Sequence, residues 1–188
     1  MIAIQILWVN LATDGLPALA LAVDPAAPDI MRRKPRPRNQ TIFTRPVVVL
    51  MVLGGVWSAV VNLGIFSWAL GAGKSLIEAQ CLVFMTINIL EFFAAFSFRS
   101  DRLSLRQIGP FKNRWLMGAV AISLGMTLPL LYIPAAREVF HTYPLGLADW
   151  GIVIAASATM MGVLELTKFV IRRVDARLEA RQVVYKAE

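Results

Sequence analysis

Ile6-Leu7-Trp8-Val9-Asn10-Leu11-Ala12-Thr13-Asp14-Gly15-Leu16-Pro17 sets three oxygen-bearing side chains, a glycine and a proline inside an apolar run from Ile2 to Val23. A run of that length crosses roughly 30 Å of hydrocarbon as a helix. An aspartate at its middle costs about 2.5–3.5 kcal/mol on an insertion scale, so its presence there asks for a function. Asn10, Thr13 and Asp14 are spaced i, i+3, i+4, which places them on one face of a regular helix. Pro17 lacks a donor and clashes with the carbonyl of Thr13. The helix is therefore expected to unwind near Gly15 and Pro17 and to free backbone oxygens. Irregular backbone at membrane depth is tolerated where protein buries it or where it lines a cavity.

Four more apolar runs follow, at Val47–Leu70, Ala79–Phe98, Trp115–Ile133 and Trp150–Ile171. The 188 residues are 57% hydrophobic and 16% charged, which excludes a disordered chain and an ordinary soluble enzyme. The expected fold is all-α: a single membrane domain over 1–188, a polytopic bundle of five transmembrane helices at about 2–23, 47–70, 79–98, 115–133 and 150–171, with a basic tail over 172–188. Trp68, Trp115 and Trp150 stand near run ends, as interfacial anchors do.

The loops alternate in charge. Of the 19 Lys and Arg, 17 lie in the loops 24–46 and 99–114 and in the stretch from Lys168 onward; only Lys74 and Arg137 lie in the other two loops. The positive-inside rule makes the basic side cytoplasmic, which puts the N-terminus outside and the C-terminus inside. The first run is not read as a signal peptide, since it lacks a basic flank and polar residues interrupt it. Pro28–Arg38 reads as an extended loop. Only the first span looks broken, which argues against a small secondary transporter built from repeated broken helices.

Carboxylate, amide and hydroxyl oxygens suit calcium, magnesium or manganese. Asn10, Thr13 and Asp14 are thus candidate cation ligands, but three donors are too few for six to eight coordination positions. Asn88 and Glu91, i and i+3 in the third span, are further donors; Glu91 must be neutralised by a proton, a cation or a partner. The alternative is structural: Asn10 and Thr13 joining helices, Asp14 paired with a buried base, and Glu91 protonated. Asn62 reads as a contact between helices, and Cys81 as a small packing residue. Glu165 and Lys168 read as an interface pair with Lys168 snorkelling, and His141 as a surface residue.

The run Leu7–Ala18, with its order Asn-x-x-Thr-Asp-Gly-x-Pro, resembles the sixth transmembrane helix of P-type calcium-transporting ATPases. Asp24-Pro25 and Pro28–Arg36 resemble the loop after it, Arg99–Ser104 the loop after the eighth helix, and Leu145–Trp150 the start of the tenth. The likeness covers essentially the whole chain and equates its spans with helices six to ten. It implies that Asn10, Thr13 and Asp14 are calcium ligands, with Asp14 bridging two sites, and that Glu91 stands where the eighth-helix ligand glutamate lies in sarcoplasmic-reticulum-type pumps.

The family's phosphorylated Asp-Lys-Thr-Gly-Thr motif is missing here, and so are its nucleotide domain and fourth and fifth helices. The resemblance then implies the C-terminal membrane part of a calcium pump in the plasma membrane, which neither hydrolyses ATP nor transports alone. Calcium is the expected transported ion, with manganese as the alternative. ATP and magnesium enter only through an N-terminal partner carrying the phosphorylation, nucleotide-binding and actuator domains and helices one to five. A chain opening on this helix is expected to be a separately encoded half or a piece of a longer pump. The competing expectation is a non-transporting membrane scaffold or regulator subunit.

Overall fold

A computed structural model describes residues 1–26, 30–32 and 41–187. Among the described residues all regular structure is helical, and five helices are long and apolar enough to cross a membrane. They are α1 (Ala3–Ala22), α2 (Arg45–Gly71), α3 (Leu76–Ser97), α5 (Arg114–Tyr132) and α7 (Leu147–Ala187). Two short helices join them: α4 (Leu105–Ile108) and α6 (Pro134–Phe140). The all-α polytopic bundle expected from the apolar runs is what forms. Most of the Pro28–Arg38 loop lies outside the described residues.

Helix starts follow local chemistry. Pro46 near the start of α2 gives up a donor that has no helical acceptor there. At α3 the Ser75 hydroxyl accepts from Glu78 N at 3.3 Å while the Glu78 carboxylate accepts from Ser75 N at 2.7 Å. At α5 the buried Asn113 accepts from Leu116 N at 2.9 Å and donates to the Ala20 carbonyl at 3.0 Å, so one side chain caps one helix and grips another.

The centre of the bundle is α3, with twelve of its 22 residues buried. Its Cys81, Phe84, Met85, Ile89 and Phe92 pack with Val9 of α1, Ile65 of α2 and Val153 of α7. Lipid tails remove most of the hydrophobic incentive for helices to associate, so close packing and interhelical hydrogen bonds carry the assembly. Gly54 supplies close approach: a methyl there would stand 3.3 Å from the Phe98 ring and 3.6 Å from Leu164. Trp57 donates to the Thr159 hydroxyl at 2.9 Å, and Ser157 to the Thr86 carbonyl at 3.2 Å. Cys81 is fully buried, its sulfur 3.2 Å from the Tyr143 carbonyl, in keeping with a packing role.

Four details depart from the expectations. A second span is broken: α5 is interrupted between Thr127 and Pro129, because Pro129 has no N–H to continue the ladder. The last helix does not stop at the basic tail; α7 runs 41 residues, about 60 Å, roughly twice the hydrocarbon thickness.

Lys168 does not snorkel. It is fully buried and its ammonium turns inward, 2.6 Å from the Ser97 carbonyl at the end of α3 and 2.7 Å from Glu165. The free carbonyls that end a helix attract a cation more strongly here than the nearby interface does. Asn62 bonds within its own helix, to the Ser58 carbonyl at 2.8 Å, rather than between helices.

Candidate functional site

The first span is continuous but not uniform. Ala3–Trp8 is α-helical, Val9–Asp14 forms a widened π-helical turn, and Gly15–Ala22 is α-helical again. The expected unwinding at Gly15 and Pro17 is therefore replaced by widening one turn earlier, and both residues sit inside regular helix. The reason is the direction of the proline's effect. Its ring and missing N–H disturb the carbonyls four and five residues before it, while the residues after it are free to continue.

Widening also changes which side chains share a face. A π turn advances fewer degrees per residue than an α turn, so the i, i+3, i+4 set fans out. Thr13 is buried, whereas Asn10 and Asp14 stay exposed. Asn10 donates its amide to the Ile6 carbonyl at 3.0 Å, leaving its side-chain oxygen free on the uncovered side. The single face expected for the three residues is thus split into an inward hydroxyl, an outward amide and a carboxylate between them.

Asp14 and Glu91 stand beside one another across α1 and α3. The Thr13 hydroxyl lies 3.4 Å from Glu91 Oε2 and donates at 2.7 Å to the Val9 carbonyl. A hydroxyl has one proton, and the shorter contact takes it; lone pairs then face Glu91. Two neighbouring carboxyl groups at such a place need a proton or a cation between them. Among the described residues no three of His, Cys, Asp and Glu gather, so the acidic centre is this pair. Asn88 is fully buried one turn from Glu91; its amide donates to the Phe84 carbonyl and its side-chain oxygen has no hydrogen-bond partner among the described residues.

Span α5 also grips the widened turn. Ser123 donates to the Ala12 carbonyl at 2.9 Å, and Trp8 donates to the Thr127 hydroxyl at 3.1 Å. At the basic end, Arg99, whose side chain is fully buried, places its Nε 3.1 Å from both oxygens of Asp24 and its Nη1 2.8 Å from the Gly109 carbonyl. α1, which bears Asp14, is pinned at its middle and at its end.

The family model for "Cation transporting ATPase, C-terminus" matches residues 1–170. The chain belongs to this family. It is similar to a calcium-transporting ATPase of Bacillus subtilis, 36% identical over 84% of this chain and 18% of that protein. It is similar to calcium-transporting ATPase 1 of Bacillus cereus, 32% identical over 88% of this chain and 20% of that protein. It is also similar to the probable cation-transporting ATPase F of Mycobacterium tuberculosis, 31% identical over 92% of this chain and 19% of that protein. The chain thus spans about a fifth of the length of these relatives.

For a member of the cation-transporting ATPase C-terminal family, the sequence-level candidates separate by position. Thr13, Asp14 and Glu91 come together, and Asn10 stands one turn away on the open side. His141 is exposed in the loop after α6, apart from the acids. Sequence reading missed Ser123 and Thr127. Their signal is their own i, i+4 spacing in an apolar run, the pattern of two small hydroxyls on one helix face.

Proposed function

We propose that this chain is the C-terminal membrane portion of an ATP-driven calcium pump, and that Asn10, Thr13, Asp14 and Glu91 supply part of its intramembrane ion site. The observation that carries the reading is that two carboxyl groups and a hydroxyl are neighbours within two helices of spanning length. Hard oxygen donors with up to two negative charges suit a divalent cation; the same groups hold protons when the cation has left. The names of the calcium-transporting relatives support calcium over manganese. The set is incomplete, since calcium takes six to eight oxygens. The remaining ligands, with the phosphorylation, nucleotide-binding and actuator parts that use ATP and magnesium, belong on this reading to an N-terminal portion carrying helices one to five.

Orientation follows from charge. With 17 of 19 basic residues on one side, that side is cytoplasmic, the N-terminus is outside, and the plasma membrane is the proposed location. Gly15 and Pro17 take part indirectly: Pro17 shifts the backbone strain onto the turn that carries the ligands. The test is calcium-dependent phosphoenzyme formation by the assembled pump. Asp14→Asn keeps shape and one oxygen but removes charge, and should abolish calcium dependence. Glu91→Gln should weaken calcium affinity and leave partial function. A wild-type calcium response in the Asp14→Asn protein refutes ion coordination by this aspartate and favours a non-transporting scaffold.

A further inference from the structure

The widened turn of α1 is gripped from another helix. Carried one step past Asp14, its i→i+5 pattern would pair the Ala12 carbonyl with residue 17, a proline without an N–H. Ala12 is buried, where a backbone carbonyl gains from a protein donor. Ser123, itself fully buried in α5, donates its hydroxyl to Ala12 O at 2.9 Å. Ala12 is the residue immediately before Thr13 and two before Asp14.

We propose that Ser123 is a positioning residue for the acidic site: by holding the Ala12 carbonyl it fixes the rotation of the widened turn that points Thr13 and Asp14 at Glu91. The role rests on the reading of Asp14 and Glu91 as the ion site, and adds to it a residue that touches neither acid. A second contact keeps the hydroxyl in place. Thr127, one turn further along α5, donates to the Ser123 carbonyl at 2.8 Å and accepts from Trp8 at 3.1 Å. Trp8 and Ala12 on α1 therefore face Thr127 and Ser123 on α5 as two successive rungs. Lower on the same pair of helices, Asn113 grips Ala20 at 3.0 Å, well clear of the widened turn. Asn113 is the internal control: its loss weakens the same helix pair without touching the turn.

The experiment uses the full 188-residue chain in lipid bilayers, with side-chain carboxyl carbons of Asp and Glu labelled for solid-state NMR. The Asp14–Glu91 correlation is identified as the cross-peak that Glu91→Gln removes. In wild type it should be present. In Ser123→Ala it should fall at least two-fold, and likewise in Ser123→Cys, which fills the space but donates weakly. Ser123→Thr restores a hydroxyl and should keep it, and Asn113→Ala should keep it too.

An unchanged cross-peak in both Ser123→Ala and Ser123→Cys overturns the proposal. So does an equal loss in Asn113→Ala, which would make the contact one of general helix packing, or a wild-type spectrum without the correlation. If Ser123→Ala does not insert, the Cys and Thr variants decide. The measurement contains no calcium and no ATP. A failure of the phosphoenzyme test therefore leaves this result standing, and a failure here leaves the phosphoenzyme result standing.

Discussion

Arg99 offers the sharpest test of how the acid-bearing helix is anchored. Its guanidinium is fully buried and engages both Asp24 oxygens through Nε at 3.1 Å, one of them again through Nη2 at 3.0 Å, and the Gly109 carbonyl through Nη1 at 2.8 Å. Asp24 follows the last turn of α1 and its side chain is only 15% exposed. Removing one member of a buried, hydrogen-bonded pair leaves the other charge uncompensated and costs about 3–5 kcal/mol. Arg99→Ala should therefore lower unfolding free energy by about that amount. Arg99→Lys keeps the charge, but a single ammonium cannot span a carboxylate on one side and a carbonyl on the other. It should recover about half of the loss, leaving roughly 1.5–2.5 kcal/mol unrecovered.

The assay is reversible unfolding in mixed micelles, with Asp24→Asn and the double variant closing a cycle. Coupling between the two positions should be on the order of 1–3 kcal/mol. An Arg99→Ala protein within about 0.5 kcal/mol of wild type, the range of an ordinary surface substitution, would refute the anchoring argument. A lysine variant indistinguishable from wild type would refute the role given to the planar fork.

Lys168→Met removes an ammonium bonded to Ser97 O and Glu165 at 2.6 and 2.7 Å; because Glu165 keeps Leu105 N at 3.2 Å and is a quarter exposed, the loss should be about 2–4 kcal/mol, read in the same unfolding assay. On the opposite side of the bundle, Lys74 donates to Asp149 at 2.8 Å, and that hydrogen bond raises the Lys74 pKa above its ordinary value. A raised folded-state pKa means the contribution is fully present below the unfolded value near about 10.4 and is lost as pH rises through the folded value. Asp149→Asn should thus cost less than about 1 kcal/mol at neutral pH, and the difference from wild type should vanish only in strongly alkaline solution. Reporter fusions after Gly73 and at Glu188 should report opposite sides of the membrane; the same side for both would refute the proposed topology.

The bundle itself is written in the sequence as five apolar runs of spanning length, and lipid leaves a chain of that pattern few alternatives to helices. The polar run at Asn10–Asp14 is legible for the same reason, since each polar residue there carries a visible cost. What periodicity could not give is the kind of irregularity. A proline announces strain, but whether the chain unwinds or widens depends on what stands ready to donate to the displaced carbonyls. Here that is Ser123, more than a hundred residues away. Lys168 teaches the same lesson: its inward turn is decided by the end of α3 and by Leu103, neither adjacent in sequence. Pro129 was the opposite case, a plain breaker within an apolar run, readable but overshadowed by the denser signal in the first span.

The uncovered side of α1 bears on what completes the site. Gln5, Val9, Ala12, Thr13, Pro17 and Ala20 are buried. Leu7, Asn10, Leu11 and Asp14 are left open on the other side. Two of these are large apolar residues that lipid would accept. The other two are an amide and a carboxylate, and a carboxylate facing hydrocarbon at mid-depth costs at least about 2.5–3.5 kcal/mol. A face that mixes both kinds suits neither lipid nor water, and protein with apolar surface flanking further polar groups relieves both demands at once. On the proposed reading, the groups that cover Asn10 and Asp14 are the groups that finish the coordination of the cation. The half of the ligand set carried here then remains unsatisfied until the rest of the pump is in place. That dependence is physical, since it follows from one carboxylate standing beside Glu91 on one side and, among the described residues, having no partner on the other.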